Sequence, residues 1–197
     1  MKTLYRYLLE RPTTRMLVAF TAISFMFNYW ASKILMASYI ESKFPVPYFV
    51  AQLSFNPEKL KGWYSFLIHE GTLNIYLRTQ HIDTLFIIST LLLHGLGLVM
   101  LSRLFSKYSK GRKIMVVCAL ISALAPISDQ LENVISYVML MNPTHFFGGL
   151  AYVYSSFAAL KFAFFVFAYI TAIIGLIAGL ISLALRTKST FIKHQNI

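Results

Sequence analysis

The sequence predicts an all-α membrane protein: a bundle of four transmembrane helices with a short amphipathic helix in the first extracytoplasmic loop. Three observations carry this. Charged residues make up 13% of the 197-residue chain, against about 25% in soluble domains. Apolar residues gather into four runs, near 16–40, 83–101, 114–141 and 154–185, each close to the ~20 residues that a helix needs to cross the hydrocarbon core. Lys and Arg cluster in short segments beside those runs, as the positive-inside rule requires. The length suits a single domain over residues 1–197,. No ten-residue alternation marks a barrel, and helices satisfy their own backbone groups in lipid.

The first run follows a basic stretch with Lys2, Arg6, Arg11 and Arg15. No small-residue cleavage site follows it, so it is expected to be a retained helix and not a signal peptide. Phe44–Pro47, "FPVP", is a rigid exit from that helix,. The next stretch, "SFNPEKLKGWYSFLIHEG", reads as a short helix near 57–69. Asn56 is its N-cap, Pro57 its first residue and Gly71 its stop. Leu60, Trp63, Tyr64, Leu67 and Ile68 share one face of it,. It either lies in the interface plane or caps the bundle; both readings put it on the outer side. A second helix starts near Thr72 and continues through the second run without a break. The third run contains Pro126, which invites a kink. The fourth carries Gly175 and Gly179 with Thr171 and Ser182, a small-residue face suited to helix packing within the bundle or between protomers,.

Orientation follows from the basic residues. The N-terminal stretch, the connection with Arg103, Lys107, Lys110, Arg112 and Lys113, and the tail with Arg186, Lys188 and Lys193 hold most of the 18 Lys and Arg. Both termini are therefore expected to be cytoplasmic, in a bacterial inner membrane. The net charge of +11 is of this kind, so nucleic acid is not an expected partner. "SKYSKGRK" is a short inner loop suited to anionic lipid headgroups.

Each helix carries an ionisable residue to a similar depth. Counted at about 1.5 Å per residue from the cytoplasmic ends, Lys33, Asp83, Asp129, Glu132 and Lys161 lie roughly 24–37 Å along their helices. In the third run Ser122, Pro126, Asp129, Glu132, Asn133 and Ser136 recur in steps of three or four, hence on one face,. Toward lipid, an Asp at a helix centre costs about 2.5–3.5 kcal/mol. The economical arrangement turns these residues inward, with Asp83, Asp129 and Glu132 against Lys33, Arg78 and Lys161 and with Asn133 beside them.

These residues carry a resemblance. "SFNPEKLKGWYSFLIHEGTLNIYLRTQHIDTLF", "PISDQLENV" and "SSFAALKF" resemble an uncharacterised bacterial family of four-helix integral membrane proteins with a D-x-x-E-N motif in the third helix. The matching positions are Phe55, Pro57, Glu58, Tyr76, Asp83, Phe86, Asp129, Glu132, Asn133 and Lys161. Leu73 and Ile87 depart from the pattern, where the family has Arg and Pro. The resemblance implies that Asp83, Asp129, Glu132, Asn133 and Lys161 belong together; it implies no reaction.

Other chemistry is thinly supported. Cys118 is alone, so no disulfide forms within the chain,. His69, His81 and His145 lack the spacing of a metal site, and neither a metal nor a cofactor is expected. His94 is either a relay member or a packed side chain. Three functions remain. The first is an outward-facing polar pocket, Lys33, Arg78, Asp83, Asp129, Glu132, Asn133 and Lys161, that binds a small molecule or lipid headgroup. The second is an accessory or assembly subunit of a membrane complex, or a homo-oligomer, whose ion pairs are structural. The third is an intramembrane enzyme acting on a lipid, with Asp129 and Glu132 as acid and base.

Overall fold

A computed structural model describes residues 2–195 of the chain. The side chains of Lys2 and of residues 189–197, Lys193 among them, lie outside the described residues. The described residues are helical and turn structure with no strand. Eight helices follow in order: α1 Lys2–Glu10, α2 Thr14–Glu41, α3 Tyr48–Gln52, α4 Pro57–His69, α5 Leu73–Ser102, α6 Lys110–Ser122, α7 Leu124–Met141 and α8 Gly149–Gln195. Three stretches are long and apolar enough to cross a membrane: Leu73–Ser102, Lys110–Met141 and Gly149–Lys188. Large apolar side chains stand on the outside of the helices, Phe25, Met26, Ile173 and Ile174 at 60% exposure or more. A soluble surface does not carry so much exposed apolar area; a lipid-facing one does.

The expected four runs meet this structure unevenly. α2 spans the first run and has 28 residues, but it is not among the three candidate spans. Ser24, Asn28, Ser32, Lys33 and Ser38 dilute it. The second run extends back to Leu73, as one unbroken helix. The third run is two helices, with Ala123 between them. Pro126 has no N–H to give the Ser122 carbonyl, so the ladder is interrupted one turn before the proline. α1 and α3 were not expected from the sequence.

The chain forms two compact units, each with its own core. One comprises 1–24, 92–123 and 165–197. Its core is Leu17, Leu98, Val99, Met115 and Ala119, with Leu8 of α1 packed against them. Arg103 closes the end of α1 by donating to the carbonyls of Leu9 (2.6 Å), Leu8 (2.8 Å) and Pro12 (3.1 Å). Arg112 adds a bond to Leu9 at 2.7 Å. These are the orphan carbonyls of a helix C-terminus, and two cations at that end also suit the helix dipole. Arg186 donates to the Leu104 carbonyl. Gly175 and Gly179 make room within this unit: a Cβ on Gly179 would meet Leu104 Cβ at 2.8 Å, and one on Gly175 would strike the Met115 thioether. The small-residue face of α8 is thus used inside the chain. His94 packs edge-on against Phe165 and Tyr169, at 5.6 and 5.4 Å between ring centres.

The other unit comprises 25–91 and 124–164. Its core joins Phe44, Leu60, Tyr64, Leu67, Tyr76, Met139, Phe146 and Tyr154. α4 presents Leu60, Tyr64 and Leu67 to that core. Its caps match the sequence. Asn56 accepts from the Lys59 N–H at 3.0 Å, and Pro57 opens the helix. At the far end Gly71, at φ 69°, donates to Ile68 O at 3.1 Å while Thr72 donates to Leu67 O at 2.9 Å. That pair of bonds is the Schellman ending, which needs a left-handed residue at Gly71.

Candidate functional site

The polar positions of the third run are set by helical period, and the structure turns them inward. Ser122, Asp129, Glu132, Asn133 and Ser136 are all buried, and Glu132 has no exposed surface. Asp129 and Glu132 are three residues apart on α7, so both carboxylates leave the same face. α8 brings Lys161 to them. Its Nζ lies 2.8 Å from Asp129 Oδ1 and 2.6 Å from Glu132 Oε2. α5 brings Asp83, which is half-buried; its Oδ2 accepts from Asn133 Nδ2 at 2.7 Å. Asp83 is also close enough to Asp129 and Lys161 to interact with both charges. Five of the seven residues expected from the sequence therefore meet.

Lys33 and Arg78 do not. Lys33 is exposed, its ammonium 5.5 Å from the Tyr29 ring centre. Arg78 is exposed and paired with Glu41. The reason is rotation about the helix axis. On α2 the buried positions are Leu17, Ser24, Ala31 and Ser38, and two residues beyond Ala31 is about 200° away. On α5 Tyr76 and Thr79 are buried; Asp83 falls on their side, and Arg78, two past Tyr76, on the opposite one.

The cluster is roofed by phenols. Tyr64, Tyr76 and Tyr154 are buried, and the Tyr154 hydroxyl stands beside the Glu132 carboxylate. Their rings belong to an aromatic group: Phe44–Tyr76 at 4.8 Å, Tyr64–Tyr76 at 6.1 Å, Phe44–Tyr64 at 6.4 Å and Tyr64–Phe146 at 6.2 Å. Burial holds the Tyr64 phenol above its ordinary pKa, so it stays a neutral O–H,. Tyr154 was not singled out by the sequence reading, although a signal existed: it precedes Lys161 by seven residues, two helical turns on one face. Ala151, Ser155 and Ala158 lie on that stripe too and are buried. Small residues there let α8 approach closely while Lys161 reaches across.

The Glu132 carboxylate is met by Lys161 and by the Tyr154 hydroxyl, and the Ser136 and Tyr64 hydroxyls meet one another. His81 and His145 are taken up elsewhere. His81 Nδ1 lies 3.0 Å from Leu77 O and 3.2 Å from the Tyr137 hydroxyl, and His145 Nδ1 lies 2.7 Å from Thr144 Oγ1. Among the described residues no three His, Cys, Asp or Glu side chains gather as a metal-binding set.

Fold and site define a class: a helical membrane protein with a buried, acid-rich ion-pair cluster. No protein-family model, no curated protein and no solved structure matches this chain.

Proposed function

We propose that the chain is an integral membrane protein whose acid-rich cluster binds a small molecule or a lipid headgroup. The observation that carries this is the imbalance at the site. Two buried carboxylates share one ammonium, and a third, at the half-buried rim, accepts from the Asn133 amide and lies near enough to feel the Asp129 and Lys161 charges. A purely structural network is expected to balance its charges; an excess of carboxylates leaves room for a ligand's donors. Asp83, the most accessible of the three acids, marks the outward side of the site.

In this reading α2 is the fourth membrane helix. Its 28 residues reach about 42 Å, and Phe20, Ile23, Phe25, Met26 and Met36 point outward along it. α4 then belongs to the extracytoplasmic loop, and both termini lie in the cytoplasm of a bacterial cell, as the exposed Lys107, Lys110 and Lys113 favour,. The D-x-x-E-N family remains the natural home for the motif. Labelling with a membrane-impermeant thiol reagent checks the orientation. In a Cys118→Ser background, Lys59→Cys reacts from outside and Lys110→Cys does not; the reverse pattern inverts the topology.

The second reading, an assembly subunit with a structural network, has one observation of its own. Lys161 touches both α7 carboxylates while only 4% exposed. The two readings separate by mass spectrometry of the purified protein. Under the binding reading a molecule co-purifies with the wild type and is lost from Glu132→Gln while the protein stays folded. Under the structural reading nothing co-purifies, and Glu132→Gln lowers stability alone.

A further inference from the structure

We propose that α1 is an in-plane docking element for the bilayer surface, on which Arg6 and Arg11 bind the headgroups of anionic phospholipids. The inference rests on the membrane reading and is independent of what the acidic cluster binds. Charge is the first ground. Residues 1–24, 92–123 and 165–197, which form one compact unit, hold twelve of the 18 Lys and Arg and a single acid, Glu10, so the whole net charge of +11 belongs to them. Residues 25–91 and 124–164 hold six of each sign. The ion pairs Lys43–Glu70, Arg78–Glu41 and Lys161 with Asp129 and Glu132 all lie in that balanced part. Basic residues beside a membrane helix attract anionic lipid, over a range of about one Debye length.

The structure separates the cations that hold the fold from those left for a partner. Arg103 and Arg112 are half-buried and donate to the carbonyls at the end of α1, which fastens α1 to α6. Arg6, Arg11, Arg15, Lys107, Lys110 and Lys113 are exposed. α1 itself has two faces. Leu4, Tyr5, Tyr7, Leu8 and Leu9 share one, and Thr3, Arg6 and Glu10 the other,. The protein covers only part of the apolar face: Leu8 packs on the core, whereas Leu4 and Tyr7 are 52% and 56% exposed. Arg6 and Arg11 line an open groove of about 310 Å³ with Thr3, Tyr7 and Glu10. A guanidinium group there can donate two parallel bonds to a phosphate, with the Thr3 and Tyr7 hydroxyls beside it. An exposed Leu and Tyr next to exposed arginines is the make-up of a helix lying at headgroup level. A nucleic acid would meet the arginines but leave Leu4 in water.

Quenching by spin-labelled lipid tests this in the full chain. A bimane on Leu4→Cys, in a Cys118→Ser background, is read in nanodiscs of equal phosphatidylcholine and phosphatidylglycerol, with a nitroxide near the top of the acyl chain of one lipid or the other. Nitroxide phosphatidylglycerol is expected to quench about twofold more than nitroxide phosphatidylcholine, and salt at about 1 M to remove most of the difference. The same label on Ile40→Cys, among the charge-balanced residues, is expected to show no preference. Arg6→Gln with Arg11→Gln is expected to lose the preference, and Arg6→Lys with Arg11→Lys to keep most of it. Equal quenching by the two lipids at Leu4→Cys, an equal preference at Ile40→Cys, or a preference unchanged in the Gln pair overturns the proposal. If neither lipid quenches the Leu4→Cys label while both quench the Ile40→Cys label, the surface faces water and the proposal fails, while the membrane reading stands. A bimane response to an RNA oligonucleotide in that case would give the surface to a soluble polyanion.

Discussion

Asn133 is the residue on which the rim of the site depends. Its amide donates to Asp83 from the turn of α7 that also carries Glu132. Asn133→Leu keeps roughly the bulk and removes the donor, leaving the Asp83 carboxylate without that bond. It is expected to lower unfolding stability in micelles by about 1–3 kcal/mol. Lys33→Ala and Arg78→Ala serve as controls and are expected to change it by about 1 kcal/mol or less, because both side chains are exposed. A large loss in either control, with none in Asn133→Leu, would place the network elsewhere. The contrast shows what the sequence makes legible at this scale. Asp129, Glu132 and Asn133 stand on one helix, so period alone puts them on a common face. Lys33 and Arg78 were placed by depth along their helices, and depth does not fix rotation. The small residues Ser24, Ala31 and Ser38, spaced by seven, held the missing information, since the buried side of α2 is the side where partners approach closely.

Among the elements, α7 and α8 do the positioning. α7 follows the break at Ala123 that Pro126 enforces,. α8 buries a stripe from Ala151 through Tyr154, Ala158 and Lys161 in one unit, and Gly175 and Gly179 in the other. Gly179→Ala places a methyl 2.8 Å from Leu104 Cβ. That atom sits next to its own backbone and cannot swing aside, so overpacking is expected to cost about 1–3 kcal/mol, read as a lowered midpoint in micelles. No change would mean that α8 does not pack there. The helix caps were legible, because Asn56, Pro57 and Gly71 each have one dominant physical use. α1 was not. Its nine residues, with five apolar side chains among Lys2, Arg6 and Glu10, look like a charged leader, and Arg103 and Arg112, distant in sequence, help to secure its end. The count of membrane helices also stayed open at α2, whose serines and Lys33 serve packing and surface at the expense of hydropathy.

For the molecule as a whole, the composition decides the environment and the charges decide the site. Apolar side chains cover the outside of the helices, so burying charge toward the helix neighbours is the cheaper arrangement. The cost of that burial makes the cluster a sensitive point for stability. The central claim is that α7 and α8 are joined through a shared, buried ammonium. A double-mutant cycle on Lys161→Met and Glu132→Gln, read by unfolding in micelles, tests it most directly. Lys161→Met strands two carboxylates and is expected to cost about 3–5 kcal/mol. The double variant is expected to cost less than the two single losses together, with a coupling of about 1.5 kcal/mol or more. Additivity within about 0.5 kcal/mol would mean that the two side chains do not meet, and would contradict the account.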